Sequence, residues 1–186
     1  MHYPDIDIDS GNRDKILELI TYIPAELSKD KKHNSGVHIQ PIPVNPATNL
    51  SALNYKEADT RGYYKLDLLN VNLYNRIKDK EHYEKLLAME PPWHRLCEKE
   101  FVSNIIHIGN YYRLLTQMKP NTIPRIAMFL AIMRPGKKHL QNKSWKEVGA
   151  TVWDVTGEGY IYRKSHAISY AVLVGLNMLL NDTTSV

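Results

Sequence analysis

Asp5, Asp7 and Asp9 alternate with Ile6 and Ile8 directly after Pro4. In an extended strand, residues i, i+2 and i+4 share one face, so three carboxylates would crowd one side and the isoleucines would fill the other. Like charges so close repel unless a cation sits among them, and a divalent metal is the usual one. A second strand candidate, Tyr63 to Leu69, sets Lys65 and Asp67 on one face and Leu66 and Leu68 on the other. If the two strands pair, Asp67 joins the first aspartates with Lys65 beside it. Carboxylates from two neighbouring strands can hold two divalent ions roughly 3.5–4 Å apart, the geometry of in-line phosphoryl transfer. Calcium sites, hydrolytic two-metal sites and solvated edge strands use the same alternation, so the pattern alone leaves these open.

The elements that must position these residues follow from periodicity and breakers. Ser10-Gly11-Asn12 should end the first strand and cap a helix from about Arg13 to Tyr22. Lys29 to Ser35 is polar and basic. Val37 to Ile42 reads as a strand, after which Pro41, Pro43 and Pro46 force an extended loop. Beyond Leu69 the pattern predicts helices over 79–89, 97–118, 122–133 and 164–180, broken at Pro91-Pro92, Pro120 and Pro135-Gly136. Strands first and helices later predict an α+β fold, with a catalytic sheet region at 1–75 and a helical region at 76–186, together forming one compact unit.

Bulk properties set the class. At 186 residues with 43% hydrophobic and 24% charged residues, the chain is an ordinary globular sequence. The single cysteine, Cys97, excludes an internal disulfide and suits a reducing compartment. Four residues before Asp5 leave no room for a signal peptide, and the most apolar run, Ala167 to Leu180, is too short to span a bilayer. A cytoplasmic protein without a membrane partner is expected. The net charge of +4 is unevenly spread: residues 1–30 carry three basic and seven acidic side chains, residues 119–186 nine basic and four acidic. An acidic head within a basic remainder suits a metal site on a surface that holds a polyanion, or is simply uneven surface charge.

Five blocks then carry a resemblance. Pro4-Asp5-Ile6-Asp7-Ile8-Asp9 with Arg13-Asp14 resembles a motif of the bacterial replicative DNA polymerase III α subunit, the C family of DNA polymerases. His33-Asn34-Ser35-Gly36-Val37-His38-Ile39, Gly62 to Leu69, Ala131-Ile132-Met133-Arg134-Pro135-Gly136, and Gly159-Tyr160 with Lys164-Ser165-His166-Ala167-Ile168-Ser169-Tyr170-Ala171 are similar to later blocks of that family, in its order. The resemblance covers nearly the whole chain. It implies a small nucleotidyltransferase-like, polymerase β-like palm followed by helical fingers. It also implies Asp5, Asp7 and Asp67 as catalytic metal ligands, with Asp9 in support. Lys65, Arg134, Lys164 and His166 would be nucleotide-binding residues, and two Mg²⁺ (or Mn²⁺) ions the cofactors. Primer-template DNA and nucleoside triphosphates would be the partners, and a partner subunit would be added if the enzyme is split between chains.

Departures from the family shape the expectation. Family members are several times longer, and their Gly-Ser motif before the aspartates, most of the thumb and the clamp-binding modules have no counterpart here. A miniature polymerase of low processivity is expected, its compactness pointing to a virus or mobile element. The alternatives are a non-catalytic remnant that binds DNA or a replication partner, and one subunit of a split polymerase.

Other residues have plainer readings. His33 and His38 are expected in structural or nucleic-acid-contact roles. His94 and Cys97 have no second pair to make a zinc site. Tyr111, Tyr112 and Trp145 are expected to pack rather than stack on bases, and Met128, Phe129 and Met133 to be core. Lys29, Lys31, Lys32, Lys137 and Lys138 grip phosphates or are solvated.

Overall fold

A computed structural model describes residues 6–154 and 163–182. The fold is α+β, with one four-stranded mixed sheet and eight α-helices among the described residues. The chain divides into two compact units, Met1–Ile77 and Lys78–Val186.

The first unit contains β1 (Ile6–Ser10), α1 (Arg13–Leu17), β2 (Ile23–Ser28), β3 (Lys31–His38), α2 (Tyr55–Thr60) and β4 (Leu66–Asn70). The Asn12 side chain caps α1 as expected, accepting from the Asp14 and Lys15 backbone N–H groups. The helix stops at Leu17 instead of running to Tyr22. Ile20, Thr21 and Ile23 are β-branched, and Pro24 pushes its predecessor into extended backbone. The chain turns through 18–22, and Ile23–Ser28 becomes β2, a strand absent from the sequence reading. It forms a hairpin with β3, turning at Asp30 with φ of 57°. The polar, basic stretch therefore supplies the first part of β3, and the strand expected over Val37 to Ile42 ends at His38, before the prolines.

The strand order is β1-β4-β3-β2. β1 runs parallel to β4, and β3 is antiparallel to β4 and to β2. Leu66 and Leu68 pack with Val37 and Leu17 as the core of this unit. Ile6 and Ile8 share that face, but β1 is an edge strand, so they stay 42% and 39% exposed.

The second unit is helical: α3 (Lys80–Ala88), α4 (Lys99–Ser103), α5 (Tyr112–Met118), α6 (Ile123–Ile132), α7 (Trp145–Thr151) and α8 (Lys164–Asn181). The helix expected over 97–118 is two helices. His107 has φ of 63° between them, a left-handed conformation that no helix continues through. α7 was not foreseen, although Ser144 and Glu147 form a capping box that its sequence spells out. α6 packs along α8, burying Ile126, Phe129 and Leu130 with Ala167, Ala171, Val174 and Met178. The small side chains Ala167 and Ala171, and Gly175, let the helices approach. A Cβ at Gly175 would stand 3.1 Å from Ile123 Cδ1 and from Pro91 Cγ. Phe129 is core as expected, with Met128, Met133 and Trp145 partly buried against it. No helix among the described residues is long and apolar enough to cross a membrane.

Candidate active site

β1 and β4 bring two of the expected carboxylates, Asp7 and Asp67, together. In their parallel register Asp7 stands opposite Asp67, and Asp9 opposite Leu69. Residues opposite each other in a parallel pair share a face, so Asp7 and Asp67 are neighbours across about 4.8 Å of sheet. Asp9 follows on the same face of β1. Asp5 lies outside the described residues. Among those described, no group of three or more His, Cys, Asp or Glu side chains is arranged to hold a metal ion. Asp7 and Asp67 are thus two hard oxygen donors on adjacent strands, of the chemical type that magnesium and manganese take.

Asp67 is held from several sides. Its side chain is 13% exposed, and its Oδ2 is ion-paired with the ammonium of Lys65, itself only 8% exposed. Ser35 Oγ–H donates to Asp67 Oδ1 at 2.7 Å, and His33 Nδ1 lies 3.6 Å from the same oxygen. The backbone N–H of Gly36 donates to His33 Nδ1 at 2.9 Å, leaving the proton of a neutral ring on Nε2. Tyr55, in the first turn of α2, meets the His33 ring edge-on at 5.5 Å and lies 6.0 Å from Lys65 Nζ.

A bulge in β3 makes this arrangement possible. Between the pairs Pro24–Val37 and Glu26–Lys32, β2 has one residue and β3 has four. The surplus throws His33 and Ser35 toward Asp67, as bulges beside functional sites commonly do. Gly36 sits opposite Asp67, and its missing side chain leaves room for the stem of Lys65. A Cβ there would stand 2.7 Å from Lys65 Cδ and 2.9 Å from His33 Nδ1. Gly36→Ala should therefore displace Lys65 or His33 and cost about 1–3 kcal/mol of stability, measurable by urea unfolding. An unchanged unfolding midpoint would show that the bulge yields freely.

His38 lies at the end of β3, 1% exposed. Its Nδ1 bonds the Tyr64 carbonyl at 2.9 Å, while Nε2 is buried without a partner among the described residues. Burial holds its pKa below the ordinary histidine value, with Lys65 and His33 pushing the same way. In the second unit burial also lowers the pKa of His107, helped by Arg134. A base with a depressed folded-state pKa leaves the unfolded chain binding more protons as pH falls below about 6.5. Thermal stability should thus hold above that pH and decline below it. His38→Gln and His107→Gln should each flatten part of the decline, and identical profiles for wild type and both variants would contradict this.

The remaining expected site residues lie in the second unit. Arg134 lines a pocket of about 490 Å³ with His107, Tyr111, Lys138, Gln141 and Tyr170. The His107 and Tyr170 ring centroids are 4.9 Å apart, and His166 approaches Tyr170 from one turn earlier in α8, at 6.5 Å. Lys164, at the start of α8, is exposed and is not among the lining residues. Gly159 and Tyr160 lie outside the described residues. The sequence reading named neither His107 nor Gln141 for this pocket, nor Tyr55 for the other site. Only a tertiary contact makes them relevant. His33 and Ser35 carried a signal in the glycine beside them, since glycine inside a strand marks a bulge or a close approach.

Arg13, after the first strand, donates its backbone N–H to Asn70 Oδ1 at 2.6 Å. That bond ties the start of α1 to the end of β4; the Arg13 side chain is 13% exposed, and its guanidinium lies 4.0 Å from Asp14. Comparison with family models, with curated proteins and with solved structures found no match for the chain.

Proposed function

We propose that this chain is a miniature nucleic-acid polymerase, resembling the palm and fingers of C-family DNA polymerases. Its sheet unit would be a nucleotidyltransferase-like palm. Asp7 and Asp67, with Asp5 and Asp9, would hold the two Mg²⁺ or Mn²⁺ ions. When bound, those ions supply a more acidic primer 3′-hydroxyl and neutralise charge on the triphosphate and the departing pyrophosphate. The chain's own residues do the positioning. The sheet fixes the spacing of Asp7 and Asp67, Ser35 orients the Asp67 carboxylate, and Lys65 provides a cation beside the triphosphate. In the helical unit, the pocket with Arg134 and Lys138 beside Tyr111 and Tyr170 suits an anionic ligand that carries an aromatic ring. Lys164 and His166 would be further contacts to triphosphate or template.

The observation that carries this reading is the in-register pairing of Asp7 with Asp67 beside a buried lysine. Primer extension on a primed DNA template, with Mg²⁺ or Mn²⁺, is its test. Incorporation of at least one nucleotide is expected. No incorporation with either metal would sink a polymerase that works alone and leave the split enzyme, whose second chain should restore activity. One observation favours a non-catalytic remnant: Lys65 already neutralises Asp67. DNA binding that ignores divalent metal, in a chain that never extends a primer, would fit that remnant.

A further inference from the structure

We propose that Lys65 is a built-in counter-ion of Asp67 that a divalent metal must displace, so that metal arrival frees its ammonium for the nucleotide phosphates. The inference rests on reading Asp67 as a metal ligand and adds the order of events at that site. Asp67 has two carboxylate oxygens, and both are engaged: Lys65 takes Oδ2 and the Ser35 hydroxyl donates to Oδ1. The two contacts differ in kind. Ser35 is neutral and held by the β3 bulge, so it can keep its bond while Oδ2 changes partner. Lys65 carries a unit of positive charge, which opposes a divalent ion at the same carboxylate.

Lys65 reaches the carboxylate along a stem that crosses Gly36, and its Cδ occupies the room that the missing Cβ leaves. Tyr55 lies within 6.0 Å of Nζ and can keep company with the ammonium while it leaves the carboxylate. Before exchange, Asp67 is buried and neutralised by Lys65. Afterwards the metal neutralises Asp67, and a lysine with little solvent around it needs a new anion. Triphosphate oxygens are that anion, so metal and nucleotide should bind cooperatively through Lys65.

Two measurements other than activity test the exchange. Manganese binding, followed by electron paramagnetic resonance, should tighten about tenfold in Lys65→Met, because the competing charge is gone. It should weaken sharply in Asp67→Asn. Binding equal to wild type, or weaker, in a folded Lys65→Met protein would overturn the exchange. If binding is nonetheless lost in Asp67→Asn, the polymerase reading stands without it. No manganese binding by any variant would overturn both. Should Lys65→Met not fold, the wild type gives the second test. Acetylation of Lys65, read by mass spectrometry, should be slow without metal and several-fold faster with saturating Mg²⁺. An unchanged labelling rate would refute the exchange.

Discussion

Asp67→Asn should lower nucleotide incorporation by about a thousandfold or more, equivalent to at least about 4 kcal/mol of transition-state stabilisation. The asparagine amide is nearly isosteric, so the Ser35 contact can survive, and the loss would come from charge rather than shape. Asp7→Asn should act as strongly, since its carboxylate faces Asp67 across the parallel pair. Asp9→Asn should act less, because Asp9 lies opposite Leu69 rather than a third carboxylate. Asp67→Asn also removes the partner of a buried ammonium, and that change touches stability. Circular dichroism on the same preparations separates the two effects. A folded Asp67→Asn protein with near wild-type incorporation would rule Asp67 out of the chemistry.

The largest stability effect should come from the helical unit. Phe129 is completely buried in α6, among the side chains that join it to α8. Phe129→Ala removes a ring from close-packed surroundings and leaves a cavity, with an expected loss of about 3–5 kcal/mol. That is a large share of the roughly 5–15 kcal/mol that holds a domain folded. Phe129→Leu should cost much less, because it refills most of the volume. Urea unfolding compares the three proteins. Equal midpoints for Phe129→Ala and wild type would mean that the α6–α8 seam contributes little.

Period and charge made some of this legible in the sequence. Alternation in Ile6–Ser10 and Leu66–Asn70 is a local property, so the faces of Asp7, Lys65 and Asp67 could be read before any pairing was known. Helices were equally readable from their apolar period, as α3, α6 and α8 illustrate, the first two with prolines just beyond an end. Three kinds of feature were not. β2 starts directly after Leu17 to Tyr22, a stretch that still looks like the continuation of a helix, and its pairing with β3 decides the matter. The β3 bulge depends on register against a strand that the sequence reading did not contain. The His107 turn puts a non-glycine residue at positive φ, which only its surroundings can enforce. The facing of Asp7, Lys65 and Asp67 was therefore legible. How Ser35, His33 and Tyr55 gather around Asp67 and Lys65 emerged only with the tertiary structure.

Lys65 connects these strands of reasoning. A lysine two residues from a carboxylate on one strand face would make an ordinary surface pair if exposed, worth little to stability. Here both partners are largely buried, and the pair lies beside a second carboxylate on the neighbouring strand. A merely structural sheet would gain nothing from facing Asp7 with Asp67, since like charges opposite one another destabilise a sheet. Under the proposed function, a divalent metal between the two carboxylates would give the arrangement a use.

The most direct test is the incorporation of one labelled nucleotide at a primer 3′ end, in Mn²⁺, by wild type and by Asp7→Asn in parallel. Asp7 carries the sharper test because its replacement leaves the Lys65–Asp67 pair in place while removing the carboxylate opposite Asp67. Incorporation by the wild type and its loss in a folded Asp7→Asn protein is the expected result. Incorporation that persists undiminished in Asp7→Asn would contradict a two-metal site on β1 and β4.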